Sequence, residues 1–191
     1  MNKLASRSAL LCAIALIGCS AANREERSWT EDVLLEDGTA VRIERHVTFN
    51  ESDALGGGAY SAVESKSTLK FTGQLAALPA WDFPRIALVL YRSKENGSWR
   101  IIATTSSCEI WKHDGAPRPP YWEYELIDTR WELVPLHPES IGKSPDLFYR
   151  YKAAKFGPHV DAQTRQWLQS SPTISDQYRS IAANPQDFQC M

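Results

Sequence analysis

The sequence predicts a mainly β protein of α+β type: an antiparallel β-sandwich or barrel-like meander followed by two short C-terminal helices. Three observations predict it. Alternating apolar and polar residues recur through most of the chain. Asp-Gly and Asn-Gly dipeptides, both strong hairpin signals, punctuate those runs. Beyond residue 152 the alternation ends, and the spacing turns helical. At 191 residues, with 43% hydrophobic and 23% charged, the chain suits one domain with a real core.

The elements follow in order. "WTEDVLLE" (29–36) and "TAVRIERHVTF" (39–49) flank Asp37-Gly38 and read as a type I′ hairpin. Val41, Ile43, Val47 and Phe49 share one face of the second strand. Arg45 interrupts that face, which predicts a bulge or a buried pairing there. "ESDALGGGAYSA" (51–62) is a loop. Its three glycines lack a following Gly-Lys-Ser/Thr, so they do not spell a phosphate cradle.

"ESKSTLKFTGQL" (64–75) alternates as a strand, and "LPAWDFPR" (78–85) is a Pro-broken connection. "RIALVLYR" (85–92) is apolar on both faces and predicts a central strand. Asn96-Gly97 turns it into "SWRIIATTS" (98–106). The stretch 108–128 reads as a strand, a Pro-rich loop and a strand, with Glu123 and Glu125 on a solvated face beside Glu132. Asp128-Thr129 is a tight bend before 130–136, and "DLFYRYK" (146–152) is the last strand. Residues 160–169 and 171–183 read as helices, the second opening on Ser171 and Pro172. Most of the seven tryptophans are expected in the core.

The N-terminus carries an address. Lys3 and Arg7 precede "ALLCAIALI" (9–17), which is too short for the roughly 20 apolar residues of a bilayer span. This is the layout of a secretory signal. The expected organisation is a cleaved signal over 1–18, a lipidated tether over 19–28 and a single domain over 29–191. Loss of the signal leaves 19 basic against 23 acidic residues. No basic surface advertises nucleic acid. Cys12 leaves with the signal. Cys108 and Cys190 then remain in an oxidising space, where a disulfide is the default and a Cys108–His113 thiol site the rival.

No catalytic set emerges around His46, His113, His137 or His159, and no cofactor or metal site is expected. Recognition is expected on scaffolded loops, 51–62 and 112–121. In the second, Asp114, Arg118 and Tyr121 are the candidate partner contacts, Tyr121 as an aromatic anchor.

Two resemblances add to this. "LIGC" (16–19) resembles the bacterial lipobox. That implies a diacylglyceryl thioether on Cys19, cleavage before it, and, with Ser20 next, outer-membrane sorting. Several acyl chains together anchor stably. The pattern Trp29, Glu31, Val33, Asp37, Gly38, Cys108, Trp111 and Pro119–Trp122 is similar to a group of small proteobacterial lipoproteins. Some of these resemble immunity lipoproteins that neutralise type VI secreted lipase effectors. The resemblance implies a non-enzymatic, periplasm-facing lipoprotein that binds protein, with a secreted lipase effector as the partner. A structural or assembly lipoprotein and a lipocalin-like carrier with an apolar cavity are the alternatives, and an enzyme comes last.

Overall fold

The computed structural model describes residues 24–52, 61–105, 107–147, 157–169, 179–185, 188 and 190. The expected signal, Cys19, the centre of the glycine loop (53–60), residues 148–152 of the last strand and residues 171–178 of the second helix lie outside the described residues.

Among the described residues, nine strands form two sheets. The first contains β1 (Arg24–Leu34), β2 (Ala40–Ser52), β3 (Ser61–Phe71), β4 (Trp81–Phe83) and β9 (His159–Val160). Its order is β4-β3-β2-β1-β9, antiparallel except for β9 on β1. The second sheet is an antiparallel meander of β5 (Ile86–Arg92), β6 (Trp99–Thr104), β7 (Trp122–Ile127) and β8 (Arg130–Val134), in that order. Neither sheet closes on itself, so of the two expected architectures the structure is the sandwich-like one. Strand β1 already pairs with β2 at Arg24, inside the stretch expected as a tether.

The hairpins sit where the turn residues put them. Between β1 and β2 only Gly38 takes a positive φ, +83°. Leu35 N–H donates to Thr39 O, and Gly38 N–H to Leu35 O. This is a three-residue loop with a left-handed glycine rather than the expected type I′ turn. Asp128 (φ 55°) makes the two-residue turn from β7 to β8.

The core lies between the sheets. Val33, Val41, Ile43, Leu69 and Trp81 of the first sheet meet Leu90, Ile101, Trp122, Tyr124 and Trp131 of the second. Trp81 meets Tyr124 edge to face, with ring centroids 5.6 Å apart. Five of the seven tryptophans are buried; Trp99 is half-buried and Trp167 exposed.

Three expectations are corrected. Cys108–His113 is a helix, α1, not a strand. Ser107 Oγ accepts from Ile110 N–H and Glu109 lies in the first turn, so capping wins over the apolar alternation. Strand β5 is an edge of its sheet, not central. It is apolar on both faces because other segments cover it. Asp146 and Leu147 N–H both donate to Leu88 O, and Asp146 Oδ1 accepts from Leu90 N–H. The outer face of β5 and β6 buries Ile86, Leu88, Val89, Tyr91 and Ile102 against Tyr121, Leu136 and Ile181. Residues 179–183, expected to end a helix, are irregular: Gly142 N–H donates to Ile181 O, and Ile181 N–H to Lys143 O. The first expected helix is α2 (Ala162–Gln169), with Asp161 Oδ1 accepting from Thr164 N–H at 2.7 Å.

Candidate functional site

Cys108 and Cys190 form a disulfide, with Cα atoms 5.1 Å apart and a sequence separation of 82. It ties α1 to the tail that covers the second sheet, and Phe188 packs on Trp111 at 5.4 Å. Cys108 is therefore consumed in a bridge and holds no thiol beside His113.

The loop from α1 to β7 is fixed at several points. Asp114 Oδ2 pairs with the Arg85 guanidinium, which also donates to Tyr124 OH and lies 4.5 Å over the Trp122 ring. Burial pushes the Tyr124 hydroxyl up to about 12, with Arg85 opposing it. Trp111 Nε1 donates to Pro117 O, and Ala116 N–H to Trp111 O. A cis Arg118-Pro119 bond follows.

The three expected contacts separate here. Arg118 is exposed, as are Lys112 and His113. Asp114 points inward to Arg85, with its other oxygen 2.9 Å from His113 Nδ1. Tyr121 is 3% exposed. Its hydroxyl donates to Ser180 O and accepts from Ala182 N–H. It anchors the tail, so a surface role for its ring is corrected. The apolar outer face of β5 and β6 offered that ring more burial than water did.

Among the described residues there are two buried charge clusters, of which the sequence reading foresaw only a pairing at Arg45 and named none of the partners. Between the sheets, Glu31 takes Arg45 Nε at 2.9 Å and Arg165 Nη2 at 2.8 Å. Arg45 also donates to Leu147 O. The interruption of the apolar face at Arg45 is thus a buried pairing; the β2–β3 register shift falls later, between Thr48 and Phe49, with the extra residue, Ser65, on β3. On the outer face of the second sheet, Glu123 is fully buried, which corrects its solvated reading. It accepts from Tyr91 OH (2.6 Å), Arg100 Nη1 (2.9 Å), Ser140 Oγ (2.8 Å) and His137 N–H (2.6 Å). Glu125 stays half-buried, its carboxyl held low first by the Ser98 hydroxyl.

The outer face of the first sheet brings together Ser28 and His46, with Oγ 2.6 Å from Nδ1. His46 Nε2 lies 3.8 Å from Glu26 Oε2. The register of the β1–β2 hairpin would have found this pair, since Ser28 and His46 are direct cross-strand partners. The order is that of an acyl-transfer triad. However, Ser28 lies in mid-strand opposite β2, two residues before β9 joins at Thr30, and not on a turn that would gather backbone N–H groups beside its hydroxyl. An oxyanion needs preorganised donors. A cross-strand polar pair accounts for the geometry.

One concavity among the described residues, of about 440 Å³, lies over Ser28 and His46, flanked by Trp29, Lys70 and Pro158. Another is a cleft of about 490 Å³ at one end of the sandwich. The 35–39 hairpin and Gln74-Leu75 form one side; Tyr91, Arg92, Lys94 and Trp99 form the other. Among the described residues, no group of three or more His, Cys, Asp or Glu side chains is placed to hold a metal. No described helix is long and apolar enough to cross a membrane.

The fold and these sites define a two-sheet, disulfide-stitched, sandwich-like domain. No protein-family model, curated protein or solved structure matches the chain.

Proposed function

We propose that the chain is a lipoprotein anchored by lipid on Cys19, on the periplasmic side of the outer membrane, and that it acts by binding protein. The partner class the reading favours is a secreted lipase effector, which the domain would neutralise as an immunity factor. The observation that carries the reading is the pairing of "LIGC" with the Cys108–Cys190 bridge. Disulfides persist in oxidising compartments, so the bridge supports export independently of the lipobox. The α1–β7 loop supports recognition. Its base is fixed by Asp114, Trp111 and the bridge, while Lys112, His113 and Arg118 face solvent. A loop held in one conformation loses little entropy on binding.

Two measurements test this. Cys19→Ala should abolish incorporation of a palmitate analogue; labelling that persists removes the anchor. His113→Glu with Arg118→Glu should weaken capture of a lipase effector by roughly tenfold without changing thermal stability. An unchanged affinity in that variant removes the loop from the interface. A hydrolytic activity lost on Ser28→Ala or His46→Ala would replace the binding reading with an enzymatic one.

A further inference from the structure

The cleft at the end of the sandwich has an unusual division of charge. Leu35, Leu75 and Trp99 form its apolar lining and join the main core cluster. One rim, the 35–39 hairpin, carries Glu36 and Asp37. The opposite rim, where β5 turns toward β6, carries Arg92 and Lys94. Its volume of about 490 Å³ falls within the range of small-molecule sites.

The rims are joined loosely. Lys94 Nζ lies 4.0 Å from Glu36 Oε2, and the Lys94 side chain is 82% exposed. Glu36 is held more firmly by Lys143, whose ammonium sits 4.1 Å over the Tyr91 ring. Asp37 accepts from Thr39 N–H at 2.8 Å, a bond that holds its carboxyl below the usual range. Arg92 Nε donates to Gly97 O, a neutral partner. Behind the basic rim, burial raises the Glu139 carboxyl, but Ser93 and the Lys94 backbone, with His137 and Lys143 nearby, together hold it low. The charges around the cleft therefore nearly balance in sum, and across it they meet at Lys94 and Glu36, while Asp37 and Arg92 bond to neutral backbone groups. A purely anionic or purely cationic ligand would face one like-charged rim. A ligand with both charges and a hydrocarbon portion would satisfy both rims and cover Leu35, Leu75 and Trp99.

We propose that this cleft binds a small zwitterionic amphiphile, its anion toward Arg92 and Lys94, its cation toward Glu36 and Asp37, and its alkyl chain on Leu35, Leu75 and Trp99. The proposal does not depend on the protein-binding reading. Two sources carry this chemistry, a zwitterionic lysophospholipid and a short peptide with an apolar side chain.

The test uses the full chain held in amphipol and photoactivatable alkyl probes kept below micelle formation. The probes share one alkyl chain and differ in head group: phosphocholine, phosphate, trimethylammonium or maltoside. The expected result is labelling within 35–39, 74–75 and 91–99, with the phosphocholine probe ahead of the others by about fivefold, the worth of one exposed ion pair. Arg92→Glu with Lys94→Glu should move the preference to the trimethylammonium probe. These two side chains are exposed, and retention of the Cys108–Cys190 bridge checks the fold. Competition by a lysophospholipid, against a dipeptide such as Lys-Leu, separates the sources. Equal labelling by all four head groups, labelling outside these segments, or a preference unmoved by the double variant would overturn the proposal.

Discussion

The first sheet turns Ser28, Thr30, Asp32, Arg42, His46, Lys66 and Thr68 outward, tied to one another or to Asp82 and His159. The outward side of the second sheet instead carries Ile86, Leu88, Val89 and Ile102 around Tyr91 and Glu123, roofed by residues 136–147 and 179–182. Both sheets contribute to the shared core, yet the outer face of one is wet while that of the other is roofed over β5 and β6 and opens to water only toward β8, at Ile127 and Arg130. A strand's pattern thus reports how many of its faces are covered, not its place in the sheet order. Strand β5 is the instance: an edge by hydrogen bonding, interior by burial.

The largest effects should come from removing the roof. Cys108→Ser with Cys190→Ser opens a loop spanning 82 residues. The chain-entropy relation gives roughly 4–5 kcal/mol of lost stability, measured by urea unfolding. Hydrogen exchange should show residues 140–147 and 179–188 losing protection before β1–β3. Simultaneous loss in both sheets would mean that the roof is not a separate layer.

Glu31→Ala leaves Arg45 and Arg165 buried without their carboxylate. A loss of about 3–5 kcal/mol is expected. Glu123→Ala should match it, since four donors lose one acceptor. If Glu123→Ala proves mild, water reaches beneath the roof, and the contrast between the sheets shrinks.

Asp146 provides a pH-dependent version of the same test. Part of its surface reaches solvent, but its carboxyl is closely surrounded by protein. Burial pushes that carboxyl up to about 8, against the pull of the Leu90 N–H bond and Arg165. Its folded value is raised above its unfolded value, so the folded state holds the proton more tightly. The contribution to stability is fully present below about pH 4 and is lost as pH rises through 8. Asp146→Asn should remove that slope, read as a thermal midpoint that no longer falls between pH 6 and 8 relative to the parent. An identical slope in both proteins would assign the titration elsewhere.

The smallest effect belongs to the wet face. Arg42 is exposed and pairs with Asp32 at 2.9 Å. Arg42→Ala should change stability by less than about 1 kcal/mol in thermal unfolding. A larger loss would show that the first sheet relies on its outer ladder of charges.

What was legible in the sequence was local. Asp37-Gly38, Asn96-Gly97 and Asp128-Thr129 placed three hairpins, and the odd position of Arg45 pointed to a buried partner. The cysteine pair followed from elimination, given the oxidising compartment that the signal-like N-terminus implies. The misreadings involve distant cover. Glu123 looks like a solvated strand residue because its roof, His137 and Ser140, arrives after the next strand. Tyr121 looks like a surface aromatic until Ser180 and Ala182 meet it from about sixty residues away. Alternation registers which side a residue is on, but not what later comes to lie there.

The roof also has a place in time. Strands β5 and β6 precede Ile181, Phe188 and Cys190 by most of a hundred residues. Until that tail arrives, Leu88, Val89 and Ile102 keep only the part of their cover that Tyr121 and Leu136 supply. Such surfaces recruit neighbours and aggregate. A newborn chain therefore passes through a vulnerable age, and a holding chaperone would have its work at that moment, with the closing of Cys190 onto Cys108 marking its end.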